Sequence, residues 1–260
     1  MLKKVGILLF QAIIPSIIVF SFMDLLTSSQ KDQAMNILFI GNSYTYENDG
    51  IDQHLNALLN SSHDSRIEYR FVTRAAEGKY HLMTHWYDEE TQNLFKSRRW
   101  DKVIMQEYNS GPLKTVSEFT AYAEKWEHLI KSENSSTEIY LFSTWKYSKS
   151  AGMEEKLYSA YDKLSTKIKA GVVPVGYLWK SLEGKVNLYH EDGAHPNRKG
   201  TFLTACLFYE QMFGKDVTKT KNTDVVISGG MQTKLKRWAH EFNLHSRVPL
   251  AQVTNSSSSN

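Results

Sequence analysis

The sequence predicts an α/β fold, a three-layer α/β/α sandwich with a mainly parallel five-stranded sheet. Three observations predict it. Short apolar or β-branched runs alternate with helical patterns along the chain, the order expected of strand–helix–strand units. The first run, "NILFI" at 36–40, is apolar without alternation, as in a strand covered by helices on both faces. No internal repeat or long linker interrupts the pattern, so one domain over 35–245 is the simplest organisation.

The elements follow in order. After the strand at 36–40, "IDQHLNALLNSS" (51–62) carries Ile51, Leu55, Leu58 and Leu59 on one side and predicts a helix. "RIEYRFVTR" (66–74) alternates and predicts a strand; "KYHLMTHWYDEETQNLFKS" (79–97) predicts a helix. "DKVIMQE" (101–107) predicts the third strand. The helix over 115–132 opens with Thr115 and Glu118 three residues apart, the pattern of a capping box. "EIYLFST" (138–144) predicts the fourth strand and 150–168 the next helix. "GVVPVG" (171–176) predicts a fifth strand, which its proline places near an edge. A helix over 196–214 starts with Pro196 in its first turn and stops at Gly214. The stretch 218–230 and a following helix add a small C-terminal element.

Composition narrows the function. The net charge is +3, from 31 basic and 28 acidic side chains, a balance with no pull toward nucleic acid. No strand-to-helix junction carries a phosphate-binding glycine loop. Cys206 is the only cysteine, so no intramolecular disulfide can form, and its apolar helical setting reads as core. Residues 1–30 read as a signal peptide or membrane anchor: Lys3 and Lys4 precede an uncharged apolar run from Val5 to Met23. Its length reaches the lower range of a membrane span, while Gln11, Pro15 and Ser16 weaken one. Export, secreted or periplasmic, is therefore expected, with a membrane contacted only through this segment. Residues 246–260 end in "NSSSSN" and read as a disordered tail.

Two short stretches carry chemistry. In "ILFIGNSYT" the first strand stops at Gly41-Asn42-Ser43, which puts Ser43 beyond the carboxyl end of a parallel strand, where ligands bind in such sheets. Taken alone, Gly-Asn-Ser is an ordinary turn. In "YHEDGAHPNRKG" (189–200), Asp192 and His195 stand three apart in a turn before a helix. A serine hydroxyl needs a base to take its proton, and the base needs an acid to fix its tautomer. The order Ser, Asp, His is one that hydrolytic triads use.

Together these stretches resemble the SGNH/GDSL hydrolase superfamily. "GNS" is similar to its first block and "DGAHPNRKG" to its last, Asp-x-x-His-Pro-x-x-x-Gly. The resemblance implies the flavodoxin-like fold of that superfamily and a serine esterase working through an acyl-enzyme. It gives Ser43 as nucleophile, His195 as base and Asp192 as its orienting acid. Gly78 matches the family glycine whose N–H, with that of Ser43, faces the oxyanion. The third block departs from the family pattern: "VIMQEYNSGP" lacks Gly-x-Asn, leaving Gln106 or Asn109 as the side-chain donor. Gln106 is preferred because it ends the strand directly. No metal or organic cofactor is required by this chemistry.

Trp145 and Tyr147 follow the fourth strand and are candidates to contact substrate, whereas Trp86 reads as packing. With export, these aromatics lean toward short acyl groups, acetyl above all, on a carbohydrate. A lipid esterase or acyltransferase on the same fold and a non-catalytic glycan-binding module are the alternatives. Two other enzymatic readings rank lower. An α/β-hydrolase would need Gly-x-Ser-x-Gly, absent here. A metallohydrolase would draw on His81 and His85, one helical turn apart, or on His190, Glu191, Asp192 and His195, but the glutamate of His-Glu-x-x-His is missing.

Overall fold

Five parallel strands form the centre of the computed structural model, which describes residues 33–62, 67–75 and 80–246. They are β1 (Gln33–Gly41), β2 (Ile67–Ala75), β3 (Lys102–Met105), β4 (Glu138–Ser143) and β5 (Gly171–Pro174). Their order across the sheet is β2-β1-β3-β4-β5, and every pairing is parallel. The order reverses between β1 and β3. At such a switch point the crossovers leave toward opposite faces, and a crevice opens beyond the carboxyl ends of the two strands.

Alternation along β1 divides the core in two. Ile37 and Phe39 face one side, with Ile104, Phe142 and Val173, and are covered by α2 (Ile51–Ser61), α8 (Val175–Ser181) and α9 (Arg198–Phe213). Leu38 and Ile40 face the other, with Val103, Met105 and Leu141, beneath α3 (Leu82–Tyr87), α4 (Glu89–Lys96), α6 (Val116–Glu133) and α7 (Met153–Ile168). Both faces of β1 are covered, which is why its sequence shows no polar alternation. Helix α9 is buried on nearly all sides, Cys206 included, because α10 (Gly229–Ser246) packs over it as a further layer.

Several elements differ from the sequence expectation. The helix expected over 79–97 is two, α3 and α4, broken at Asp88, whose carboxylate accepts the Thr91 N–H at 2.9 Å and caps the second. The capping box at Thr115 does not form. A one-turn helix, α5 (Gly111–Lys114), comes first, and the Thr115 hydroxyl donates back to the Gly111 carbonyl. The fifth strand is at the edge as expected but ends at Pro174, where α8 begins. Pro196 lies ahead of α9 rather than in its first turn. Asn197 is the cap, and its side chain accepts from the N–H groups of Lys199 and Gly200. The C-terminal element is a 3₁₀ turn (Val217–Lys219) and α10. No helix among the described residues is long and apolar enough to cross a membrane. The proposed leader at 1–30, Gly78 and the tail beyond Ser246 lie outside the described residues.

Candidate active site

The chain leaves β1 at Gly41 and turns at once into the one-turn helix α1 (Ser43–Tyr46). The turn is tight enough to require glycine. A Cβ on Gly41 would stand 2.4 Å from Thr45 Oγ1 and 2.7 Å from Gln106 Oε1. Asn42 caps α1, its side-chain oxygen accepting the Tyr44 N–H at 3.2 Å. From just past the end of β3, Gln106 Oε1 accepts both the Asn42 N–H at 2.9 Å and the Thr45 hydroxyl at 3.1 Å. From α3, His85 Nε2 reaches the Gly41 carbonyl at 2.8 Å. A carbonyl oxygen only accepts, so Nε2 carries the imidazole proton. Burial pushes this histidine down to about 4, which keeps it neutral.

The segment before α9 is held as firmly. Tyr189 and Pro196 form an antiparallel bridge, and His190 N–H donates to the His195 carbonyl at 2.8 Å. Gly193, with φ of 68°, makes the reversal. Asp192 Oδ1 accepts the N–H groups of Ala194 and His195 at 2.9 and 3.0 Å, an Asx turn. Three contacts fix the turn to the sheet edge: Trp145 Nε1 donates to the Ala194 carbonyl at 2.9 Å, Ser148 N–H to the Gly193 carbonyl at 2.8 Å, and Asn48 Nδ2 to the Pro196 carbonyl at 2.9 Å.

These anchors bring the three sequence candidates together. His195 Nε2 lies 2.9 Å from Ser43 Oγ, and His195 Nδ1 lies 2.5 Å from Asp192 Oδ2. Partial burial would raise the Asp192 carboxyl. The hydrogen bonds from the His195 ring and from the Ala194 and His195 N–H groups outweigh it and hold the acid at about 2. Asp192 is thus an anion at neutral pH. It fixes the proton of neutral His195 on Nδ1 and leaves Nε2 to accept from Ser43. The Tyr44 ring meets the imidazole edge-on, centroids 5.4 Å apart.

The two carboxamides read from the sequence as alternative donors, Gln106 and Asn109, are placed differently. Gln106 and Asn109 are both 1% exposed, so burial does not separate them. The Gln106 oxygen braces the Ser43 turn, and its Nε2 donates to the Glu107 carbonyl at 2.6 Å. Asn109, the second choice, lines the cleft in front of Ser43. Its Oδ1 accepts the Thr144 hydroxyl at 2.9 Å and its Nδ2 donates one hydrogen to Tyr44 Oη at 3.1 Å. A carboxamide carries two N–H bonds, so the second is the one the cleft can receive.

The cleft measures about 440 Å³ and is lined by Asn42, Ser43, Tyr46, Tyr108, Asn109 and Tyr147 among others. Tyr147, expected there, is present, its phenol raised to about 12 by burial and by the bond to Tyr108. Trp145 is not. It is 1% exposed, stacked between Tyr44 (4.7 Å) and Trp179 (4.0 Å), and forms the floor on which the site rests. Sequence reasoning missed Tyr44, Tyr46 and Tyr108. The one signal for them was tyrosine recurring beside the Ser43 and Asn109 stretches. Trp86 packs edge-on against Trp126, as read.

The histidines that the lower-ranked metallohydrolase alternative would draw on are engaged elsewhere. His85 turns both ring nitrogens inward, to the Gly41 carbonyl and the Thr91 hydroxyl, while His81 pairs with buried Glu107. The pair therefore does not converge on one point. In the other group, His190 Nδ1 stands 3.8 Å from Asp192 Oδ1, and His195 is engaged with Ser43. Among the described residues the metal-like grouping is Glu210, Asp216 and His240, all at or beyond the end of α9 remote from His195. There the Glu210 carboxylate already accepts from Val217 N–H and Asn243 Nδ2.

No family model matches the sequence, and no curated protein is similar to it. Solved structures are. A protein from Slackia heliotrinireducens assigned to the SGNH hydrolases is 24% identical, with a TM-score of 0.58 over 69% of this chain and 100% of its own. A protein of the DUF4886 family from Bacteroides uniformis is 15% identical, with a TM-score of 0.64 over 82% of this chain and 96% of its own. The lipase/acylhydrolase from Enterococcus faecalis is 14% identical, with a TM-score of 0.56 over 69% and 96%. The chain has the α/β/α fold of the SGNH/GDSL hydrolases.

Proposed function

We propose that this chain, with the SGNH/GDSL fold, is a carboxylic ester hydrolase whose nucleophile is Ser43. The observation that carries the reading is the 2.9 Å contact of Ser43 Oγ with His195 Nε2, with Asp192 behind the ring. Nucleophile, base and orienting acid stand in hydrogen-bond sequence at the edge of an open cleft.

The steps follow from the geometry. His195 takes the Ser43 proton on Nε2 as Oγ bonds to the ester carbonyl carbon, and the carbonyl electron pair moves onto oxygen. The Ser43 N–H, at the start of α1, and the second Nδ2 hydrogen of Asn109 stabilise that oxyanion; each such donor typically contributes about 3 kcal/mol. The backbone N–H of Gly78 is assigned the same role from the sequence. Collapse expels the alcohol, which takes the proton from His195. Water, deprotonated by the same imidazole, then attacks the acyl-enzyme, and Ser43 leaves with the proton restored.

For substrate we favour short acyl groups, acetyl above all, on a carbohydrate outside the cytoplasm. Tyr46, Tyr108 and Tyr147 line the cleft, and tyrosine combines an aromatic ring with a hydroxyl, a pairing suited to sugar rings. Export rests on the basic-then-apolar pattern of residues 1–30. The test is labelling by a fluorophosphonate with the adduct located by peptide mass spectrometry, beside acetate release from acetylated glycans. Label on Ser43 and its absence in His195→Ala are expected. Full turnover of p-nitrophenyl acetate by Ser43→Ala would falsify the assignment.

A further inference from the structure

The geometry points to Tyr44 as a positioning residue: its phenol oxygen holds one hydrogen of the Asn109 carboxamide so that the other is presented to the cleft. The inference deepens the hydrolase reading and rests on Ser43 being the nucleophile.

A carboxamide turns about a broad terminal torsion. One bond, from Thr144 to Oδ1, would leave the plane of the Asn109 amide free to tilt. The second bond, from Nδ2 to Tyr44 Oη at 3.1 Å, sets it. The clamp is itself immobile. The Tyr44 ring lies 10° from parallel on Trp145, and Trp145 lies 4° from parallel on Trp179. Tyr44 is also joined to Ser43 by one peptide bond within α1, so nucleophile and clamp move together. Burial raises the phenol above its ordinary range, so its oxygen stays a neutral acceptor. It holds one amide hydrogen without competing as an anion for the other.

A donor fixed in this way acts on the charge that develops in the transition state more than on the neutral ester. Removal of the clamp should therefore lower kcat and leave KM alone. Tyr44→Phe keeps the stacked ring and deletes only the hydroxyl. Its kcat on p-nitrophenyl acetate should fall roughly ten-fold, the size of one ordinary hydrogen bond. Asn109→Ala should cost on the order of a hundred-fold. In the double variant, Tyr44→Phe should cost nothing further, because it acts only through Asn109. Asn109→Ser is the substitute background where Asn109→Ala does not fold, and thermal melts establish that each variant is native. A ten-fold loss that persists in the Asn109 background, or no loss in Tyr44→Phe alone, overturns the role of Tyr44 and leaves the hydrolase standing. Full activity in Ser43→Ala overturns both.

Discussion

Ser43 Oγ and His195 Nε2 stand 2.9 Å apart although 152 positions separate them in the chain. Neither is brought there by its own segment alone. Gln106 and His85 fix the Gly41–Asn42 backbone from below, and Trp145, Ser148 and Asn48 fix the carbonyls of the 193–196 turn from the side. Four residues from three other segments, with Asn48 from the loop after α1, thus set one distance. In a catalytic contact a misplacement of an ångström costs far more rate than stability.

The tautomer of His195 gives the first prediction. Asp192 accepts the Nδ1 proton through Oδ2 and two backbone N–H groups through Oδ1. Asp192→Asn can keep the turn bonds through its remaining oxygen, but it aims an amide donor at Nδ1. The ring then carries its proton on Nε2 and cannot accept from Ser43. We expect kcat near pH 7 to fall on the order of 10³- to 10⁴-fold with an unchanged melting temperature. A loss under ten-fold would remove Asp192 from the triad.

Gln106 provides a contrast. Its oxygen braces the Asn42 N–H and the Thr45 hydroxyl, its Nε2 donates to the Glu107 carbonyl, and unlike Asn109 it is not among the residues that line the cleft. Gln106→Ala leaves the buried Asn42 N–H and the Thr45 hydroxyl without an acceptor. Stability should drop by about 1–3 kcal/mol in urea denaturation. A variant with native stability and a hundred-fold lower kcat would restore Gln106 as the oxyanion donor.

These two residues mark how far the sequence is legible. β1 could be read because both its faces are apolar, and the contact of Ser43 with His195 and Asp192 could be anticipated because two stretches, each an ordinary turn alone, occur together in the order Ser, Asp, His. Gln106 and Asn109 could not be told apart, because β3 ends at Met105 and the direction of each later side chain is set by contacts with Tyr44, Thr144 and Glu107. Helix α8 escaped notice because seven residues after a proline carry too little periodicity to separate from a strand end. The break at Asp88 escaped for a related reason: a carboxylate that caps α4 looks the same in sequence as one on a helix surface.

The two aromatics expected to meet substrate should now part company. Trp145 is buried in a three-ring stack, so Trp145→Ala should cost about 3–5 kcal/mol of stability. Tyr147 lines the open cleft, so Tyr147→Ala should leave the melting temperature within a few degrees and raise KM for an acetylated glycoside several-fold. Equal KM values for wild type and Tyr147→Ala would show that substrate does not reach that wall.

The last prediction concerns pH and stability, through His85. Its side chain is fully buried, bonded to the Gly41 carbonyl, and pushed down to about 4 by loss of solvation; Arg74 adds to the push, while the Gly41 bond and Asp88 oppose it. In the unfolded chain the same imidazole titrates near 6.5. As pH falls through about 6.5 the unfolded chain takes up a proton that the folded protein refuses until about 4. The unfolded state binds more protons in that window, so stability declines across it and levels off below. Between pH 7 and pH 5 the decline from this one group is about 2 kcal/mol. His54, also lowered by burial, acts in the same direction and is common to both proteins compared. His85→Gln keeps an N–H donor for Gly41 and removes the titration. Urea denaturation at pH 7 and pH 5 should therefore show a fall smaller by about 2 kcal/mol in His85→Gln than in the wild type. Parallel falls in the two proteins would mean that His85 is protonated in the folded state, with a charged imidazole directly under the Ser43 turn.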